Sequence, residues 1–399
     1  MDFLILISVL WVSWGLYRVL VYVANKSCKL PPGPRPLPVI GNLLELGSHP
    51  HISLAKLARV YGPIMSLKLG CMTTIVVSSA PLARDILQTY DSVLSNRIIP
   101  DTTLTCRFDE LGITFVPVSP IWRNHRRISS LHLFTRKALD SSQQLRNCKI
   151  QELLGLVAEC CNTRSAMDIG EAVFTTSLNL LGNTIFSMDL AGATSESTKD
   201  LKELVWEMEV EAGKPNLADY FPVLRWADPL GARRRMEAYF KRMFDLFDRI
   251  ISKRLEARSV TVSDRKNDLL DVLLDLAEDE EEDMNILTMK NIFVNLFVAG
   301  TDTTSSTLEW AMAELLRNPQ KLVKAQFELG EVIGRGKAIE DSDIARLPYL
   351  QATLKEVLRM HPAAPLLVPR RAGANTILSV TWLGGWCPTS YQEKNDHQV

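Results

Sequence analysis

Ala299-Gly300-Thr301-Asp302-Thr303-Thr304-Ser305-Ser306-Thr307 interrupts a long segment of helical apolar periodicity that runs from Met289 to Arg317. Those 29 residues would extend about 43 Å as an α-helix, against a mean helix of ~11–12 residues. A chain organised around such an element is mainly helical. Thr288 is placed to cap its start and Pro319 stands behind its end. Its middle is poor helix material. Six of the seven residues from 301 to 307 carry hydroxyls, which compete for backbone groups. Gly300 adds a cost of about 1 kcal/mol relative to Ala. Either the helix is bulged or widened here for a purpose, or each hydroxyl bonds a carbonyl one turn back. Asn295, Ala299 and Thr303 fall on one face at i, i+4 spacing, where a small residue leaves room for a ligand.

Helical periodicity continues outward over roughly 51–360. Two β-rich runs stand apart, Ile64–Leu69 and Thr74–Ser78, with Gly70-Cys71-Met72-Thr73 between them as a hairpin loop. The expected fold class is therefore mainly α with small β-sheets. The segment Asp219–Trp226 is aromatic, apolar and broken by Pro222. It suits either the core or a bilayer surface. Glu278–Asp283 is a run of like charges and reads as a solvated loop.

The N-terminus sets the compartment. Phe3 to Ala24 is apolar apart from Arg18, long enough to cross ~30 Å of hydrocarbon as a helix. A cleaved signal peptide would want positive charge ahead of the apolar core. Here Asp2 precedes it, and Arg18, Lys26, Lys29 and Arg35 follow. The reading is a single-pass anchor with the body on the cytosolic face. Five prolines between positions 31 and 38 then forbid helix and strand ladders, giving a stiff spacer. The expected organisation is an anchor at 1–24, a Pro-rich hinge and entry at 25–47, a body at 48–372 and a tail at 373–399.

Composition excludes other classes. With 46% hydrophobic residues among 399 the chain can bury a large core, so wholesale disorder is out. A net charge of -1 lacks the basic excess of a general nucleic-acid binder. The seven cysteines, at 28, 71, 106, 148, 160, 161 and 387, are scattered and odd in number. That suits reduced thiols. No C-x-x-C pair suggests structural zinc, and no metal-ligand set is assigned.

Two further motifs carry chemistry. Glu356 and Arg359 are i, i+3 neighbours ahead of His361-Pro362, an arrangement that is also an ordinary surface ion pair. Trp122 and Arg126 share a helix face at i, i+4. Indole N–H and guanidinium are both donors, suited to a carboxylate. The bland alternative is a basic, solvated helix with one packed Trp.

Taken in order, the anchor, the Pro-Pro-Gly-Pro hinge, Trp122-x-x-x-Arg126, Ala299-Gly300-Thr301-Asp302-Thr303-Thr304 and Glu356-x-x-Arg359 resemble the microsomal cytochromes P450 over about residues 1–372. Pro215–Pro222 with Asp228-Pro229 resembles plant members, in particular geraniol 8-hydroxylase-like terpenoid hydroxylases. The resemblance implies a cytochrome P450 fold and a haem cofactor. It implies insertion of one oxygen atom from dioxygen into a small apolar substrate, at the endoplasmic reticulum membrane. Electrons would come from NADPH through a membrane-bound reductase docking near Arg123 and Arg127. Asp302 and Thr303 match the family's acid–alcohol pair, and Trp122, Arg126 and Arg370 match haem-propionate donors. Ala299 and Gly300 would border the cofactor, and Glu356 and Arg359 match a structural pair behind it. The substrate cavity would draw on 98–117, 291–303 and 363–368, with Asn295, Ala299, Ala364 and Leu366 as lining candidates.

One departure stands out. The family ligates iron through a cysteine in a Phe-x-x-Gly-x-Arg-x-Cys pattern, and no such pattern occurs in residues 1–399. Cys387, between Trp386 and Pro388, lacks the Phe and Arg of the motif. The fold is accordingly expected to be incomplete at its C-terminal end, without the arginine that completes the Glu356–Arg359 triad. The alternative to an enzyme is an inactive membrane-tethered product that binds ligands or partners at most.

Overall fold

The computed structural model describes residues 30–191, 196–260, 265–266, 268–278, 284–334, 337 and 339–373. The anchor at 1–24, most of the acidic run, Cys28 and the tail with Cys387 lie outside them. No helix among the described residues is long and apolar enough to cross a membrane. The chain divides into two compact units after Asp85.

In the first unit, helix α1 (Pro50–Tyr61) precedes an antiparallel hairpin of β1 (Ile64–Leu69) and β2 (Met72–Val77), with Ile64 opposite Val77 and Leu69 opposite Met72. The turn is tighter than the sequence suggested. Gly70 takes φ +56°, a left-handed conformation open to glycine, so Gly70-Cys71 suffices and β2 starts at Met72. The Pro-rich stretch is docked on this hairpin. Ser66 N donates to Pro32 O at 2.9 Å and Ser66 Oγ to Pro31 O at 2.6 Å. Gly33 makes that approach possible, because a Cβ there would sit 1.9 Å from Ser66 O.

The second unit is mainly helical. Strand β3 (Asn96–Arg97) is followed by α2 (Pro120–Ser129), α3 (Gln143–Thr163), α4 (Ile169–Phe186) and α5 (Glu196–Gly213). Then come α6 (Ala232–Val260), α7 (Leu269–Glu278), α8 (Ile286–Arg317), α9 (Pro319–Val332) and α10 (Pro348–Met360). Strand β4 (Arg370–Arg371) returns to pair antiparallel with β3.

Helix α8 is the axis of this unit. It starts three residues before the expected position, because Asn285 and not Thr288 is the cap: Asn285 Oδ1 accepts from Thr288 N at 2.9 Å. Its first half is buried from Thr288 to Asn295 apart from Lys290, with Phe297 beyond. There Phe293 and Phe297 meet Phe186 of α4 and Phe247 of α6 at ring separations of 4.9 to 5.9 Å. Each such ring removed from water contributes about 1.5–3 kcal/mol.

The threonine-rich middle shows no bulge. Thr301, Thr303, Thr304, Ser305 and Thr307 each donate to the carbonyl four residues back, at 2.7 to 3.1 Å. The side chains share acceptors already used by the ladder, so the helix runs unbroken to Arg317. Gly300 serves close packing, since a Cβ would lie 2.8 Å from Leu181 Cδ1 on α4.

A buried ion cluster ties α4, α6 and α7 together. Arg254 of α6 donates to Asp268 at 2.8 Å and to Phe186 O at 2.8 Å, and pairs with Asp271 at 3.0 Å. Ser187 Oγ also donates to Asp268, at 2.7 Å. Removing one member of a buried pair leaves its partner's charge uncompensated. Asp268→Ala should therefore cost about 3–5 kcal/mol, read as an earlier midpoint in urea unfolding of the second unit.

Candidate functional site

The exposed middle of α8 is the one place where this buried axis meets open space in a way the sequence motifs anticipated. Ala299 and Thr303 are exposed on one face. Thr303 Oγ1 donates to Ala299 O at 2.7 Å, which fixes the hydroxyl proton inward and leaves the oxygen lone pairs outward. Asp302 lies on the flank and is half-buried. Burial pushes its carboxyl above the ordinary aspartate range.

The segment from Phe108 to Val116, a helical turn over Phe108–Leu111 and the loop after it, is pinned beside this helix from two sides. Trp122 Nε1 of α2 donates to Ile113 O at 3.1 Å. Asn295 Oδ1 of α8 accepts from Thr114 N at 3.1 Å and from Thr114 Oγ1 at 2.7 Å, while its Nδ2 donates to Asn291 O at 2.8 Å. Gly112 is required at this crossing, because a Cβ would come 2.8 Å from Asn295 Nδ2. His125 is buried against the same loop, and desolvation lowers its pKa. Asn295 is thus buried and engaged with protein groups, a clamp for the loop. Thr114, its partner, carried no signal in the sequence.

The candidate cations sit on two other elements. Arg126 on α2 is exposed, with no ion pair among the described residues. Arg370 on β4 donates to Asp91 at 2.8 Å and Leu94 O at 3.2 Å. Its neighbour across the sheet, Arg97, donates to Val368 O at 2.9 Å. Burial first, and then the charge of Arg370, lower the pKa of Arg97, while Asp91 opposes the shift. Arg97 was not singled out from sequence, where it lies in an unremarked Ser-Asn-Arg run. The two paired-strand arginines share the one carboxylate of Asp91, which leaves positive charge beside that strand pair suited to a carboxylate-bearing group.

Glu356 and Arg359 are brought together on α10 by two short bonds, Nε to Oε2 at 2.7 Å and Nη2 to Oε1 at 2.6 Å. The arginine beside it holds Glu356 below the usual carboxylate range. Ala364 and Leu366, after the helix, are exposed. On α2, Arg123 is exposed and Arg127 donates to Asn124 at 2.8 Å. The Asp219–Trp226 segment does not enter the core as a block, since Val223 is 75% and Trp226 87% exposed.

Among the described cysteines, Cys71 belongs to the first unit and Cys148, Cys160 and Cys161 to α3. Cys106 lies in the loop ahead of Phe108, where burial pushes its thiol up and away from thiolate.

The family model for cytochrome P450 matches residues 31–379. The chain is 47% identical over 371 residues to geraniol 8-hydroxylase of Catharanthus roseus, covering 93% of this chain and 75% of that protein. It is 48% identical over 371 residues to geraniol 8-hydroxylase of Swertia mussotii, covering 93% and 74%. It is also 46% identical over 376 residues to a Beta vulgaris protein named inactive cytochrome P450 76AD1, covering 94% and 90%.

Breaking the Asn295 clamp is directly measurable. In Asn295→Leu the Thr114 amide and hydroxyl lose their acceptor, a loss of about 1–3 kcal/mol for buried polar groups. Hydrogen exchange across 108–116 should accelerate by roughly tenfold or more, with the α4 and α6 amides unaffected.

Proposed function

Because this chain belongs to the cytochrome P450 family, we propose that it acts as a membrane-tethered monooxygenase on a small apolar substrate of the terpenoid class. One oxygen atom of dioxygen enters the substrate, and electrons arrive from NADPH through a reductase. The observation that carries this reading is the exposed Ala299–Thr303 face, with an acid at Asp302, midway along a helix otherwise built into the core. The oxidoreductase class follows from the family, and the substrate class from the two geraniol 8-hydroxylases.

Each residue has a part that its position supports. Haem, when bound, supplies the activation of dioxygen. Arg126 and Arg370 would hold its propionates, with Arg97 beside Arg370 on the paired strand, while the single indole N–H of Trp122 is taken by Ile113 O and serves the 108–116 segment instead. Ala299 leaves the helix face low enough for a flat ligand, whereas Gly300 turns to Leu181 of α4 and lets the two helices approach. Thr303 presents oxygen lone pairs outward and can accept and pass a proton. Asp302, raised by burial, holds a proton more readily than a solvated aspartate. Glu356 and Arg359 brace α10. Asn295 keeps the 108–116 segment in place beside the substrate, and Ala364 and Leu366 offer apolar surface. Arg123 and Arg127 form the docking patch for the reductase. An anchor at 1–24 and a hinge at 25–47 would hold the 48–372 body at the cytosolic face of the endoplasmic reticulum. The exposed Val223 and Trp226 offer apolar surface of a kind suited to a bilayer.

A second reading has its own support. Residues 1–399 contain no Phe-x-x-Gly-x-Arg-x-Cys pattern, and a relative of 46% identity carries the word inactive in its name. On this reading the chain is a membrane-tethered product that binds ligands or partners without turnover. A carbon monoxide difference spectrum of the reduced, purified full chain separates the two. A thiolate-type Soret band, with hydroxylated product from geraniol, NADPH and reductase, supports the first. A folded chain without that band supports the second.

If haem is bound, Arg126→Leu should lower its retention. One charge-assisted hydrogen bond is worth about 1.5–3 kcal/mol, so dissociation should rise tenfold or somewhat more. The haem-to-protein ratio after gel filtration reads the loss.

A further inference from the structure

Thr303, Thr307, Trp310 and Glu314 stand at i, i+4, i+7 and i+11 along α8. Those spacings put them in one stripe of the helix. The stripe that presents Thr303 to the candidate site therefore continues for about 16 Å to Glu314.

At that far end it meets His361, which ends α10 and whose N–H donates to Val357 O at 2.7 Å. The His361 ring lies flat on Trp310, with ring centroids 3.9 Å apart and planes 3° from parallel. Its Nε2 lies 3.0 Å from Glu314 Oε1. A carboxylate accepts, so the ring nitrogen donates. Arg317 reaches the same oxygen only at 3.9 Å. The His361 and Glu314 side chains are both largely withdrawn from solvent.

Two contacts of different geometry hold this one ring. Stacking fixes the plane of the imidazole, and the hydrogen bond fixes its rotation within that plane. The opposite end of α10 is held too. It has no side-chain cap of its own at Leu347. Glu328 of α9 supplies one, Oε1 accepting from Tyr349 N at 2.8 Å and Oε2 from Leu350 N at 2.9 Å.

The chain that leaves His361 carries Ala364 and Leu366. Pro362, Pro365 and Pro369 fix φ at three positions along it. Leu367 takes φ +55°, uncommon for a residue other than glycine, and its N–H closes a turn on Ala364 O at 3.0 Å. The far end is tied to β3 and the residue after it, where Arg97 donates to Val368 O at 2.9 Å and Ile98 N to Pro369 O at 3.2 Å. A stiff segment fastened at both ends takes its position from the fastenings. The one at His361 is made on α8, the helix that also carries Thr303.

We propose that Trp310 and Glu314 are positioning residues. Through His361 they set where Ala364 and Leu366 stand relative to the Thr303 face of α8, and so which end of an apolar ligand that face meets. The consequence for turnover rests on the monooxygenase reading, in which Ala364 and Leu366 border the substrate.

The joint is tested by hydrogen exchange on the full chain in detergent. In Trp310→Leu, peptides over 363–368 should exchange roughly two- to tenfold faster, the range that a contact between rings supports, with α4 and α6 unchanged. Trp310→Phe keeps a ring under the imidazole and should return exchange to the parent's rate. Glu314→Gln keeps an acceptor for Nε2 and should behave as the parent, whereas Glu314→Leu should follow Trp310→Leu. Exchange over 363–368 that is unmoved in Trp310→Leu, or that rises equally in α4 and α6, overturns the joint.

Selectivity is read as the ratio of dissociation constants for geraniol and its cis isomer. Trp310→Leu should move that ratio severalfold and Trp310→Phe should restore it, since a loss of overall stability alone would weaken both ligands alike. In a chain that turns over, the ratio of hydroxylated products should move in the same variants. A ratio unmoved in Trp310→Leu while exchange rises overturns the role in ligand positioning. A chain that takes up neither haem nor either isomer overturns the monooxygenase reading instead, and the exchange result then decides the joint.

Discussion

The contact between α4 and α8 constrains the second unit more than any other. The helices lie close enough that Gly300 has no room for a Cβ beside Leu181, and Phe186 closes the α4 end by stacking among Phe247, Phe293 and Phe297. Close-packed interiors transmit such constraints because side chains cannot yield without opening voids. With the first half of α8 fixed in this way, the direction of its second half is fixed too. Ala299, Asp302 and Thr303 inherit their positions from aromatic packing one to two turns away. The segment from Phe108 to Val116 is then referred to the same helix through Asn295 and to α2 through Trp122. The residues of the candidate site therefore belong to separate elements, and most of those elements are registered against α8.

Local sequence carried the helix and its odd middle, but not the resolution of that oddity. Hydroxyl density showed that 301–307 was poor helix material. Whether the backbone would bulge depended on whether each hydroxyl found a carbonyl four residues back, and all five side chains noted above do. The start of α8 was misplaced because Asn285 and Thr288 are both good caps, and the geometry that selects Asn285 is set by where the chain emerges from 284. The Trp122–Arg126 and Glu356–Arg359 pairs were legible because i, i+4 and i, i+3 spacings are local. Asn295 was legible as a position and not as a role. Its partner Thr114 is 181 residues away, and no local pattern encodes a hydrogen bond of that span. Arg97 was missed for the same reason, since its meaning comes from the strand at Arg370–Arg371 that pairs with it.

The acids of α5 show how one helix can separate structural from chemical charge. Glu207, Glu209 and Glu211, at every second position, look interchangeable in sequence. Helical geometry sends two of them to α6, where arginines meet them, and turns the third away, its carboxylate oxygens buried with no hydrogen-bond partner among the described residues. The Glu207–Arg242 pair lies near solvent on both sides and contributes little to stability, while Glu211 is itself buried and depends on Arg235 for its compensating charge. The third arrangement costs stability as pH rises from 4.5 toward about 8, the value to which burial pushes Glu209, and nothing in local packing repays that cost. A destabilising polar group held in place by the surrounding fold marks a functional position more often than a structural one.

That difference bears on how the exposed face of α8 is kept ready. A helix surface that had to form on ligand arrival would lose binding energy to ordering. Here the packed half of α8 fixes the backbone, and the bond from Thr303 to Ala299 O fixes the hydroxyl. The clamp at Asn295 fixes the adjacent loop. The rigid face and the unmatched acid are therefore consequences of one arrangement. The packing of α5 and α4 against α8 that immobilises Ala299 and Thr303 also buries the carboxylate oxygens of Glu209. A looser unit would let water reach Glu209 and ionise it, and would lose the fixed face in the same step.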